Sequence, residues 1–428
     1  MTRIIQSSHY INAIWTTVGA FISRGVSFIS IAWIARILGP DIFGEYNVVQ
    51  TTVGLFGTVS GLGLGLAATK LIAEWRGRDI HKVSRIIGTL YFLSFFISVI
   101  VSIILFVTSG WVSSNVLKND NLVLILRITS VIIILDAMNG IQNGVLTGFE
   151  SFKEIAIINT FVGILSAPML IVATYFYGLT GLIIMLLICR GINVMVNSIY
   201  LKKEYKHQGI IVKPHIEKDV LKLIFGISIP SFLSSLSTNP INWIATTIFV
   251  NQPYAYSALG TYNAANQLKT LVLFLPESAG KVTIPRLAIT FGNGELKKFK
   301  STITITFFTN LVLSMLTAIV LYLFVNIFQQ FIGLKFFLSN ELILTVLATG
   351  VLIAITNAIG YIFICSNLIW YDFWLRIIWG IALILLIYFF GRYNGAVGYG
   401  ISILGAYIVN LIAQVIVLFV KFWYIFKK

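Results

Sequence analysis

Twelve stretches of this chain are each long and apolar enough to cross a lipid bilayer as a helix, which takes about 20 apolar residues. They run over roughly 10–36, 43–69, 84–109, 121–148, 153–177, 179–201, 221–250, 256–285, 301–328, 340–366, 369–391 and 396–422. In a bilayer every backbone N–H and C=O must be satisfied within the spanning element, so runs of this length commit the chain to helices. The composition agrees: 58% of the 428 residues are hydrophobic and 11% are charged, against about 25% charged in soluble domains. A chain this poor in charge cannot cover a water-facing surface, and its connections are too short to hold a soluble domain. The N-terminal apolar run is too long for a signal peptide and reads as a retained first span. Cys189 and Cys365 lie inside apolar runs and give no disulfide framework and no metal spacing.

The 30 Lys and Arg against 15 Asp and Glu leave a net charge of +15, which in a soluble protein would point to nucleic acid. Here the cations follow the topology instead. Twelve spans put both termini on one side, and 21 Lys and Arg fall there, against Arg36, Lys118, Lys335 and Arg392 on the other. Cationic loops stay in the cytoplasm, so both termini are expected there, with the basic loops against anionic lipid headgroups and no nucleic-acid partner.

The two halves of the chain repeat one another. Phe43-Gly44-Glu45-Tyr46-Asn47 aligns with Leu259-Gly260-Thr261-Tyr262-Asn263 at an offset of 216, which also carries Lys70 to Arg286. At 217, Gly178-x-x-Gly181 meets Gly395-x-x-Gly398, and Asn193 and Asn197 meet Asn410 and Gln414. The expected architecture is therefore an all-α membrane protein of about 12 spans in two six-helix lobes, 1–201 and 221–428, joined by a basic linker at 202–220. Six spans per half is an even number, so the pseudo-two-fold axis is expected along the membrane normal, as in parallel-repeat transporters.

Charges in mid-span are costly in lipid and by default face a bundle interior or an aqueous cavity. They are Arg24, Arg127, Asp136, Arg190, Lys269, Glu277 and Lys281, five cations against two anions. An Arg- and Lys-lined cavity suits an anionic substrate such as a phosphate or diphosphate, with Arg24, Arg190, Lys269 and Lys281 as candidates: Arg offers a bidentate fork and Lys a point charge. The other reading is interhelical pairing, for instance Arg127 or Arg190 with Asp136, and Glu277 neutralising Lys281 one turn away. Asp136 and Glu277 are candidate sites for a coupling proton or sodium ion; no other cofactor and no metal is expected. Asn139 and Asn143 on span 4, Asn193 and Asn197 on span 6, Asn266 on span 8, and Asn410 and Gln414 on span 12 either line a lumen or hold helices together. Pro230, Pro240 and Pro276 in spans 7 and 8 mark hinges or fixed kinks.

Gly61-Leu-Gly-Leu-Gly65 lies inside a helix with no strand before it, so it is a packing face and not a dinucleotide loop. The sequence has no G-x-x-x-x-G-K-[ST], no H-E-x-x-H and no clustered Ser, His and Asp. An ATP-hydrolysing motor on this chain is excluded, and a protease or lipid-linked glycosyltransferase is disfavoured.

Ala35-Arg36-Ile37-Leu38-Gly39-Pro40-Asp41-Ile42-Phe43-Gly44-Glu45-Tyr46 resembles the stretch after the first span of Wzx-type O-antigen flippases, the polysaccharide branch of the multidrug/oligosaccharidyl-lipid/polysaccharide (MOP) exporter superfamily. The resemblance implies a V-shaped pair of lobes working by alternating access. Its cargo would be an undecaprenyl-diphosphate-linked oligosaccharide repeat unit, flipped from the cytoplasmic to the periplasmic leaflet of a bacterial inner membrane for lipopolysaccharide or a related surface polymer. A polysaccharide polymerase and a chain-length regulator are the implied partners. In the related lipid II flippases, arginines on spans 1 and 8 line the cavity; Arg24 matches the first and Lys269 stands for the second. Multidrug members favour acidic cavities. A cation-coupled exporter of the same fold and a membrane enzyme of glycan assembly are the two alternative classes. The topology is testable in a chain freed of Cys189 and Cys365: single cysteines at Arg78 and Lys335 are expected to react with an impermeant thiol reagent from opposite faces, and same-side labelling overturns the orientation.

Overall fold

The computed structural model describes residues 2–427 apart from 213–216, 254, 334, 367 and 392; the side chains of 1–23, 281, 282, 285, 296, 369 and 422–427 also lie outside the described part. The described residues form helices joined by short turns and irregular connections. In order the helices are α1 (Thr2–Gly61), α2 (Leu64–Trp75), α3 (Ile80–Trp111), α4 (Leu122–Gly148), α5 (Phe152–Gln208), α6 (Lys218–Leu236), α7 (Asn239–Val250), α8 (Ala255–Gly292), α9 (Leu296–Leu323), α10 (Val325–Ile332), α11 (Asn340–Cys365), α12 (Ile369–Phe390) and α13 (Gly395–Lys427).

Two of these are each two spans in line. At 1.5 Å per residue, the 57 residues of α5 far exceed one bilayer core. The helix breaks at Gly178, with φ 57° and ψ −141°, and α1 breaks likewise at Gly39, with φ 76° and ψ 172°. Only glycine takes such angles without strain. Nine described helices are long and apolar enough to cross a membrane. Dividing α1 and α5 at their glycines, and adding the more polar α8, restores the twelve spans read from the sequence.

The repeat is visible in the backbone. Gly178 and Gly395, 217 residues apart, both have positive φ, and each follows an exposed aromatic cluster, Tyr175-Phe176-Tyr177 and Tyr388-Phe389-Phe390, as suits the membrane–water interface. Asn47 Nδ2 donates to the Phe43 carbonyl at 2.6 Å, and Asn263 Nδ2 to the Leu259 carbonyl at 3.0 Å. A Cβ at Gly44 would overlap the Tyr256 carbonyl, and one at Gly260 would overlap the Pro40 carbonyl. Tyr256 is the repeat counterpart of Pro40, so the two contacts are one contact made twice.

The chain divides into two compact units, Met1–Leu38 with Val48–Asn239, and Gly39–Asn47 with Pro240–Lys428. The division by packing differs from the division by repeat at two places. Residues 39–47 join the second unit through the Gly44 and Gly260 crossing. Helix α6 joins the first, packing on α2 and α3; a Cβ at Gly63 would lie 2.7 Å from the Ser228 carbonyl, Arg85 bonds Glu217 at 2.9 Å, and Asn239 Nδ2 donates to Thr58 Oγ1 at 2.6 Å. In the first unit, α2, α3 and α4 bury Leu71, Ile72, Ile86, Ile87, Leu90 and Val145 together. In the second, α11 is the central helix, packed against α8, α9 and α13. Large side chains such as Ile103, Val107 and Phe176 are exposed, which is the requirement of a lipid-facing surface. Outside the membrane, Asp79 caps α3 by accepting the Lys82 N–H at 3.0 Å, and that bond holds its carboxyl below the usual range.

Close packing at Gly44 and Gly260 leaves no space for a methyl group. Gly44→Ala and Gly260→Ala are each expected to destabilise the chain by about 1–3 kcal/mol, read as a lowered melting temperature in detergent. Gly54→Ala, with nothing within 4 Å of the added carbon, should leave it unchanged or raise it.

Candidate polar sites in the two units

Helix α4 carries two stripes that face different neighbours. Gly144 and Gly148 face α2: Cβ atoms there would collide with the Gly65 carbonyl and the Ile72 side chain. That close approach, favoured by small residues in membrane helices, leaves the polar stripe Asp136, Asn139, Gln142 and Asn143 for the second half of α5. The two helices then pair rung by rung. Arg190 Nε lies 3.2 Å from Asp136 Oδ1. Asn197 Nδ2 donates to Asn139 Oδ1 at 2.6 Å and to Asn193 Oδ1 at 3.0 Å, which uses both of its amide hydrogens. Asn139 Oδ1 accepts a second bond from Asn143 Nδ2 at 3.1 Å. Gln142 Nε2 donates to Ser198 Oγ at 2.8 Å and to the Val194 carbonyl at 3.2 Å.

The ladder grades from dry to open. Asn197 and Gln142 are buried, whereas the Arg190 and Asp136 side chains are 44% and 32% exposed. The ion pair thus lies at the exposed end of the ladder, while the Asn197 and Gln142 rungs are shielded. Arg190 and Asp136, candidates for a diphosphate and for a coupling ion, thus meet each other. Arg127 goes elsewhere, donating to Ser109 Oγ at 3.3 Å and lying 5.5 Å from the Phe106 ring centre. Arg24 stands exposed on α1.

In the second unit the polar face belongs to α8. Tyr262, Asn266, Lys269 and Glu277 follow helical spacing along it. Tyr262 is buried edge-on against Tyr399, ring centres 4.8 Å apart, and its hydroxyl donates to Asn266 Oδ1 at 3.5 Å. The Tyr399 hydroxyl shares a bond with Thr246 Oγ1 at 3.2 Å. Lys269 is half-buried, and its stem passes Gly350 of α11, where an added Cβ would lie 3.4 Å from Lys269 Cγ. Gly280, one turn beyond Glu277, makes room for the Tyr361 ring. The Lys281 side chain lies outside the described residues. On α13, Asn410 and Gln414 are buried and their amide oxygens have no hydrogen-bond partner among the described residues.

Among the three prolines, Pro240 is the second residue of α7, directly after the Ser237–Thr238 break. Pro230 and Pro276 lie within the continuous helices α6 and α8. Sequence reasoning passed over Gln142, whose signal was its place beside the Asn139 stripe, and the tyrosines 262 and 399, which read as core. It also passed over Asp372, buried and 2.8 Å from Arg376 within α12.

The family described as polysaccharide biosynthesis protein matches residues 11–291. The chain is 22% identical over 283 residues, 65% of its length, to a protein assigned as an O-antigen transporter in Shigella flexneri, and 23% identical over 292 residues, 62% of its length, to stage V sporulation protein B of Bacillus subtilis. The matched segments span 66% and 55% of those relatives. Among solved structures, an inward-facing multidrug-resistance MATE transporter of the MOP superfamily superposes with a TM-score of 0.73 at 15% identity, covering 94% of this chain and 96% of that one. A MOP-superfamily transporter from Pyrococcus furiosus, described by the reversed polarity of its binding pocket, gives 0.68 at 14%, covering 94% and 93%. The structural likenesses show the fold, an all-α multi-pass bundle like that of these transporters.

If the amide ladder acts as one unit, its members will not be additive. Asn139→Ala and Asn197→Ala are each expected to cost about 0.6–2 kcal/mol, and the double variant no more than the larger single loss. A double-mutant cycle of detergent melting checks this; full additivity overturns the network.

Proposed function

The chain belongs to the polysaccharide biosynthesis protein family, and from that membership we propose that it moves an undecaprenyl-diphosphate-linked oligosaccharide repeat unit, of O-antigen or a related surface polysaccharide, from the cytoplasmic to the periplasmic leaflet of the inner membrane. The observation that carries the reading is Lys269, a cation half-buried within a membrane helix whose polar face holds Asn266 and Glu277. A charge in a span is retained against its cost where it serves a site. Multivalent phosphate is the anion that a mainly cationic set best compensates.

In this reading Arg24 and Arg190 in the first unit and Lys269 in the second serve the diphosphate; Lys281 is assigned there on spacing alone. Arg190 is held meanwhile by Asp136 at 3.2 Å. An arriving diphosphate competes for the guanidinium fork, and the released Asp136 carboxylate becomes the acceptor of a coupling proton or sodium ion, with Glu277 as the corresponding group on α8. Asn143, Asn193 and Asn266 suit sugar hydroxyls, with the buried, unsatisfied amide oxygens of Asn410 and Gln414 behind them. Asn139 and Asn197 serve as the support behind them. The break before Pro240, where the chain passes between the two compact units, is the joint; Pro230 and Pro276 bend their helices in place. No covalent bond is made or broken, so access and charge compensation are the whole task. Both termini are cytoplasmic in this scheme, and a polymerase and chain-length regulator receive the product.

Replacing Arg24 and Lys269 together by Ala is expected to reduce surface-polymer export at least about tenfold, the effect of some 1.4 kcal/mol, with lipid-linked units accumulating on the cytoplasmic leaflet; wild-type export overturns the cationic site. Unpolymerised units accumulating outside would instead assign the chain to a later step of assembly. Asp136→Asn is expected to keep the fold and diphosphate recognition while removing the dependence of transport on the proton or sodium gradient.

A further inference from the structure

In the second unit, α9 and α13 each pack on α11 and leave a cavity of about 490 Å3 between them. Its floor is Ala358, Ile359 and Ile362 of α11, all buried. Its walls are apolar apart from Thr304 of α9: Ile303, Phe307 and Phe308 from α9, Val415, Leu418 and Phe419 from α13. One charged residue lines it, Lys300, in the second turn of α9. The cavity opens among residues that face lipid, since Phe308 and Phe419 are 56% and 65% exposed.

We propose that this cavity is a binding site for one acyl chain of an anionic glycerophospholipid of the cytoplasmic leaflet, with the lipid phosphate at Lys300. Three observations carry it. The volume lies within the about 300–1,000 Å3 of specific small-molecule sites, far more than the shallow ridges of a lipid-facing helix bundle. The lining is hydrocarbon-like except at one end, the polarity pattern of a single lipid chain below its headgroup. The charged end lies on the basic side of the topology: Lys300 follows Arg286, Lys297 and Lys298 in the stretch joining α8 to α9. Lys300 lines the cavity itself. An anionic headgroup gains about 1 kcal/mol from each cation near the surface. A polyprenyl tail is a poorer match, because a chain of that length exceeds a cavity of this volume. The site would hold a structural or regulatory lipid, separate from the proposed cargo, tying α9 to α13 across α11.

The full-length chain, purified in detergent and titrated with phosphatidylglycerol or phosphatidylcholine of equal chain length, tests this by native mass spectrometry. Wild type is expected to retain phosphatidylglycerol about five-fold better, the equivalent of 1 kcal/mol. Lys300→Gln should bring the two lipids to near parity, while Lys203→Gln, on the basic surface of the first unit, should keep the preference. Thr304→Trp, which fills the cavity from an exposed wall position, should lower retention of both lipids. If Lys300→Gln and Thr304→Trp both behave as wild type, or if Lys203→Gln abolishes the preference equally, the site is overturned. Displacement of bound phosphatidylglycerol by undecaprenyl phosphate would also overturn it, assigning the cavity to the cargo tail. These outcomes are independent of whether export depends on Arg24 and Lys269.

Discussion

The contact on which the fold turns is the reciprocal crossing at Gly44 and Gly260. Each glycine faces the carbonyl of the other repeat's residue four positions before the matching glycine, Tyr256 and Pro40. The approach is too close for any side chain, so it fixes glycine at both positions. The surrounding motif then follows. Breaks at Gly39 and before Ala255 start the two helices, and five residues later each presents its glycine. Three residues further on, Asn47 and Asn263 satisfy a carbonyl of their own preceding turn, where lipid or a neighbouring helix offers no water to do so. The aromatic residue between glycine and asparagine is free to differ in use: Tyr46 stacks on Phe43 within its helix, and Tyr262 turns into the Tyr399 cluster.

Away from that crossing, the lipid solvent decides where polar side chains can go. An amide with no partner in hydrocarbon costs several kcal/mol, and in the α4–α5 ladder the amide hydrogens of Asn197 and Gln142 are spent on acceptors of their own and the facing helix. The ion pair sits at the more exposed end of the ladder and not among the buried amides, where a buried pair would carry a large desolvation cost. The same constraint makes α8 the exception among the spanning helices. Its described part is more polar than the other spans, and Tyr262 and the Lys269 stem pack on Tyr399 and Gly350.

Most of the scaffold was legible because bilayer crossing imposes length and apolarity on each run separately, and the repeat could be read by offset alone. Gly39 and Gly178 break their helices where the sequence ended one span and began the next. Partners were less legible. Spacing puts Asp136, Asn139 and Asn143 on one face of a helix but says nothing of which helix meets it; only the glycine stripe at 144 and 148, claimed by α2, leaves that face to α5. For the same reason the sequence could list Arg127 and Arg190 as equal partners of Asp136, and the fold chose Arg190. The grouping of α6 with the first unit was invisible, because it depends on Gly63 admitting the Ser228 backbone, a contact between segments 165 residues apart in sequence. Arg376 read as one more cytoplasmic cation until Asp372 appeared beside it.

The repeat also separates what the fold needs from what the cargo needs. Positions that shape the backbone are shared between halves: Gly44 with Gly260, Gly178 with Gly395, Asn47 with Asn263. Positions that carry charge in mid-span are not. At the offset of 216, Lys269 corresponds to Val53, which is buried, and Glu277 to Gly61; at 217, Arg190 corresponds to Tyr407. The first unit therefore holds Arg190 in a pair with Asp136, and the second holds Lys269 on α8. If these charges served only to join helices, duplicated packing would favour keeping them in both halves, as it kept the glycines and the amides at 193/410 and 197/414. Their divergence fits a cargo that is itself asymmetric, with a diphosphate at one end and sugars at the other. Such a cargo asks the two halves for one geometry and two chemistries.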